Sequence, residues 1–90
     1  MAETRVALIA VIVEKDGAVS ELNRLLHEYA PYIIGRMGIP YREREVNVNS
    51  IALDAPQDVI SALSGRIGKL TGISSKTACS NLITRTDDKV

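Results

Sequence analysis

VALIAVIV, residues 6–13, is apolar at every position and rich in β-branched side chains. A strand with one face in water alternates apolar and polar residues, so a run apolar on both parities predicts a strand covered on both faces. Glu14, Lys15, Asp16 and Gly17 break the run. From Ala18 the period changes. Val19, Leu22, Leu25, Leu26 and Tyr29 keep one face of a helix, while Glu21, Arg24 and Glu28 take the other side. Asp16 has the chemistry of an N-cap. Pro31 ends the helix, because its ring cannot continue the turn.

Working outward from this unit, IIGRMGIPY (residues 33–41) is strand-like but carries two glycines and a proline. Such interruptions predict an edge strand with a bulge. Residues 42–45, RERE, read as a hairpin end in water. In VNVNSIAL (residues 46–53), Val46, Val48, Ser50 and Ala52 share one face, and Asn47, Asn49, Ile51 and Leu53 the other. A second helix follows, with Asp54 as cap, Gln57 as its capping-box partner and Pro56 in the first turn. Val59, Ile60, Leu63, Ile67 and Leu70 form its apolar face, and Gly72 suits a left-handed C-terminal cap. Residues 73–80 make a last strand, small and polar with Lys76 in its middle, as befits a protected edge. Residues 84–90 are expected to be a flexible C-terminal tail, which leaves one domain over residues 1–83.

The order β-α-β-β-α-β predicts an α+β, ferredoxin-like sandwich: a four-stranded antiparallel sheet with two helices on one face, the first and third strands central. Two helices cover one sheet face only, yet the first strand is apolar on both. The open face would expose a patch that a soluble monomer rarely tolerates. A homo-oligomer, dimer or tetramer, joined through that face is the expected resolution.

Composition narrows the function. The chain has 90 residues, 46% of them hydrophobic, with neither Phe nor Trp, so its core is aliphatic. Eleven basic residues balance eleven acidic ones. Direct DNA binding is not expected, since affinity for phosphates draws on a basic excess. The lone Cys79 excludes an internal disulfide and suits a reducing compartment. Residues 6–13 are too few to span a bilayer. A cytoplasmic protein without membrane attachment is expected. One histidine, His27, and one cysteine make a poor metal set, so no metal and no cofactor are expected. No polar groups converge in a pattern that points to an enzyme.

Residues 14–19, EKDGAV, resemble the first strand–helix turn of ACT domains, where Asp-x-Pro-Gly precedes an apolar pair. Gly17 matches the glycine; Glu14 stands at the Asp and Asp16 at the Pro. Three further stretches, LNRLLH (residues 22–27), RMGIPYRE (36–43) and ALSGRIGKLTGI (62–73), resemble an ACT-like family of candidate iron-only hydrogenase system regulators. That family is related in fold to the C-terminal domain of the nickel-responsive repressor. The resemblance implies a regulatory protein: an ACT-like, small-molecule-sensing and oligomerising domain that acts in transcriptional regulation through a partner. The alternative it leaves is a metal-sensing domain of the nickel-repressor type. It points to Glu14, Asp16, Gly17 and Ala18 as a ligand turn, which is a corner of the fold first and a site only when another subunit closes over it. Arg36, Arg42 and Arg44 have the chemistry to hold a carboxylate or phosphate, though pairing with Glu43, Glu45 or a neighbouring subunit is the plainer expectation. Asn49, with Asn47 on the same strand face, either binds a ligand or satisfies local backbone groups. An amino acid would suit these groups, its ammonium toward the acids and its carboxylate toward an arginine.

Overall fold

The computed structural model describes residues 3–85. The apolar run becomes β1 (Glu3–Val13), and the helical period after it becomes α1 (Val19–Glu28). A single 3-10 turn at Ala30–Tyr32 carries Pro31 into β2 (Ile33–Tyr41). A second one, Arg42–Arg44, with Glu45 left-handed at φ 54°, reverses the chain into β3 (Val46–Ala55). Next come α2 (Gln57–Gly68), β4 (Ile73–Cys79) and a two-residue β5 (Thr84–Arg85). The strand order is β2-β3-β1-β4, all neighbours antiparallel, with β5 pairing β1. This is the ferredoxin-like arrangement, with β1 and β3 central as the sequence predicts. The edge strand β2 is irregular between Ile33 and Gly35, where a bulge was expected.

The core lies between the sheet and the helices. Ala7, Ile9, Val11 and Val13 from β1 and Ile51, Leu53 and Ala55 from β3 are fully buried. Against them pack Leu22, Leu25 and Leu26 of α1 and Ile60, Leu63 and Ile67 of α2. Each large aliphatic side chain buried there contributes about 1.5–3 kcal/mol relative to exposure.

The ends of the helices differ from the sequence reading. α1 is capped by Ala18, with no side-chain cap, so Asp16 does not serve. The early amides find backbone oxygens instead. Ala18 N–H donates to Thr71 O at 2.9 Å and Val19 N–H to Gly17 O at 2.9 Å. α2 begins after Pro56 and also lacks a side-chain cap. Asp54 cannot reach that role because it is still in β3, paired with Val6, and Gln57 donates forward to Ser61 Oγ at 3.1 Å. Thr84 and Arg85, read from sequence as the start of a loose tail, pair with Thr4 and Glu3; residues 86–90 of that tail lie outside the described residues.

Candidate functional site

The β1–α1 turn is bound into the fold by its own backbone. Glu14 N–H donates to Gly72 O at 2.9 Å, and Gly17 N–H to Glu14 O at 2.8 Å. Gly17 and Gly72 meet face to face. A Cβ on Gly17 would lie 2.7 Å from Val13 Cγ1 and 2.9 Å from Gly72 O. A Cβ on Gly72, whose φ is +70°, would lie 2.7 Å from Gly17 Cα. The glycine at 17 therefore serves close backbone approach between two turns, and the amides of Gly17, Ala18 and Val19 are already engaged. Glu14 and Asp16 stay exposed, while Gly17 and Ala18 are half-buried.

Around this turn lie two shallow clefts that share Glu14 and Lys15. One, of about 280 Å³, runs past Asp16 and Arg44 to Thr71. The other, of about 260 Å³, runs past Val19 to Tyr41, Arg42 and Asn47. Lys15 Nζ reaches Glu45 Oε2 at 3.5 Å across the surface. Both signs of charge are thus close together, which suits a zwitterion better than a simple anion.

Arg36 and Asn49 are somewhere else. They sit on the helix-facing side of the sheet toward its β2 edge, and neither lines a cleft at the turn. Arg36 Nη2 donates to Asn49 Oδ1 at 3.3 Å, and Nη1 donates to Asn23 Oδ1 of α1 at 2.9 Å. Asn49 is only 7% exposed, the one buried polar side chain among the described residues. A Cβ on Gly38, its cross-strand partner, would stand 3.0 Å from Asn49 Oδ1. The sequence candidates therefore divide into two places, the turn and the arginine cluster. Asn23 and Gly38 escaped the sequence reading. The signal was the parity that puts Asn49 on the face of Ile51 and Leu53: a polar group there needs a partner.

The other singled-out groups stand apart. His27 and Cys79 are exposed on α1 and at the end of β4. Among the described residues no three His, Cys, Asp or Glu side chains gather to hold a metal ion. No helix among them is long and apolar enough to cross a membrane.

Comparison with known proteins bears on the fold and the family. Residues 5–77 match the model of the TM1266-like family, candidate iron-only hydrogenase system regulators. The solved structure of uncharacterized protein TM1266 from Thermotoga maritima is 32% identical, with a TM-score of 0.81 over 84% of this chain and 96% of that one. A formyltetrahydrofolate deformylase from Pseudomonas putida KT2440 is 18% identical with a TM-score of 0.57, over 87% of this chain but 29% of that chain, and shares the fold alone. No curated protein matches the chain. With the family model spanning both helices and the four main strands, this chain belongs to the TM1266-like family of candidate iron-only hydrogenase system regulators.

Proposed function

We propose that the chain is a homo-oligomeric, cytoplasmic regulatory domain that seats a second copy on its open sheet face. It responds to a small effector of the amino-acid class and passes the response to a protein partner that acts in transcription. The observation that carries the assembly is the face opposite the helices; the regulatory role rests on the family. Val6, Leu8, Ile12, Met37, Ile39, Tyr41 and Val48 are each 41–63% exposed there, in one contiguous set by strand register. Three strands about 4.8 Å apart and about seven residues long give this apolar set a flat footprint on the order of 330 Å², with β4 adding Ser74, Lys76 and Ala78 at its side. Upright side chains raise the accessible area toward the ~800 Å² per partner of a specific interface. The match covers 96% of the solved TM1266 chain, so that chain holds almost nothing beyond this fold to lay over the face. A second copy is then the fitting occupant, since a two-fold contact uses one patch twice.

In this assembly the turn with Glu14, Asp16, Gly17 and Ala18 and the Arg36–Asn49 cluster are the candidate effector contacts. A ligand regulates only through a difference in affinity between two states. Sedimentation velocity at low micromolar concentration tests the reading: dimers or tetramers are expected, and a dominant monomer overturns it. Thermal shift against an amino-acid panel tests the effector, with at least one amino acid expected to raise Tm.

A further inference from the structure

The charged groups of the clefts are balanced. Glu21 and Glu28 face Arg24 and Arg66 in the groove between the helices, and the acids of the β1–α1 turn face Lys15, Arg42 and Arg44. Arg36 is different. The two ion pairs among the described residues are Lys15–Glu45 and Arg66–Glu28, and neither includes it. Its guanidinium is held instead by two neutral amide oxygens, on two different elements, at 2.9 and 3.3 Å. Those bonds orient the planar fork and leave its charge in place. Three of its five N–H groups, Nε–H and one on each terminal nitrogen, remain to be used.

The floor of the cluster fits the same purpose. Asn49 is buried at the foot of Arg36, and its Nδ2 donates to no partner among the described residues. Gly38 keeps the space over its Oδ1 clear of a side chain. A fold that needed only to pin an arginine would do so more strongly with Asp at position 49, since a charged acceptor makes the shorter and stronger bond. Asparagine holds the fork without neutralising it and adds an amide donor of its own.

We infer that Arg36, Asn49 and Asn23 form a carboxylate-binding site within a single subunit, in which two ligand oxygens take the free N–H groups of Arg36 and the Nδ2 amide of Asn49. This rests on the effector reading above and names the acidic end of that effector. It also relieves the β1–α1 turn of anion binding, for which its engaged amides are unsuited. The test is an NMR titration at constant ionic strength, following the Arg36 Nε–H and the side-chain amides of Asn23 and Asn49. The probes are acetate, inorganic phosphate and chloride. Acetate should shift all three groups saturably in the millimolar range. Arg36→Lys, which keeps the charge and loses the fork, should weaken the response at least tenfold, and Arg24→Lys should leave it unchanged. If Arg36→Lys does not fold, Gly38→Ala serves: its methyl displaces the Asn49 amide and should weaken acetate several-fold. Equal shifts in the two arginine variants, saturation by phosphate alone, or no saturable shift would overturn the site. Intact dimers in sedimentation beside such a result would remove the site and leave the sheet-face assembly standing.

Discussion

Leu8 and Ile9 are neighbours in one strand, both large and aliphatic, yet Ile9 is completely buried and Leu8 is 46% exposed. Their side chains leave opposite faces of the sheet. One face meets α1 and α2 and forms the core. The other carries Val6, Leu8 and Ile12 from β1 beside Val48 of β3 and Ile39 and Met37 of β2. Both faces carry large aliphatic side chains; the open one also holds Ser50, Ser74 and Lys76 beside Ala10 and Ile12, and the two differ in what covers them within one chain. Apolar sequence on both parities does not tell which face the chain itself covers; topology does.

The largest expected effect lies on the covered face. Ile9→Ala should cost about 2–5 kcal/mol, the range for truncating a large aliphatic in a packed core. Leu8→Ala, measured by urea unfolding at a concentration where the protein is monomeric, should stay within about 1 kcal/mol. Equal losses at the two positions would break the comparison, because they would mean that both faces are packed inside one subunit. Next is the brace that closes the covered face at its end. Gly17→Val places a branched side chain against Val13 and the Gly72 carbonyl and should cost about 1–3 kcal/mol. Gly72→Ala, at φ +70° and with its methyl 2.7 Å from Gly17 Cα, should cost more than the about 1–2 kcal/mol of the left-handed conformation alone. The same unfolding measurement checks both, and a neutral Gly17→Val would show that the two turns part without penalty.

Leu8→Lys sharpens the open face. In a monomer a lysine there meets water and changes stability by less than about 1 kcal/mol. In a face-to-face assembly the ammonium must be desolvated, so the dissociation constant should rise at least tenfold, or about 1.4 kcal/mol. Sedimentation equilibrium reads the shift. Unchanged association would move the interface away from this face.

Most of the architecture was legible because the signals were local and periodic. The doubly apolar residues 6–13, the 3.6-residue spacing of Leu22, Leu25 and Leu26, and the interrupted residues 33–41 each specify a strand or helix by their own pattern. The helix caps were misread because the amide partners of α1 come from the distant turn at Thr71 and Gly72, which no local motif announces. For the same reason the sequence marks Gly17 as a corner of the fold without showing the glycine it packs against, Gly72. The candidate site was half legible. Arg36 and Asn49 could be named by chemistry and parity, but their meeting depends on the β2–β3 register, and Asn23 joins them through the docking of α1.

The outer surface of the helix layer is the control for the open sheet face, being exposed but charged. There Arg66 Nη1 lies 2.8 Å from Glu28 Oε2 and 3.4 Å from the Tyr29 hydroxyl, its guanidinium 5.7 Å from the Tyr29 ring centre. The hydrogen bond to Tyr29 and the charge of Glu28 hold the Arg66 pKa above its ordinary value. A raised pKa in a cation means stability that is fully present at lower pH and lost only as pH rises through that raised value, beyond any working pH. The contribution should therefore not vary between pH 6 and pH 9. Both partners are about half exposed, so it should also be small, and salt should screen it. Arg66→Ala is accordingly expected to lower Tm slightly in dilute buffer and by less in 1 M salt, with no change in association. A loss on the scale of Ile9→Ala, or one that grows with salt, would show that this charged surface is packed like a core, and the contrast between exposed charge and exposed hydrocarbon would no longer support the proposed assembly through the sheet face.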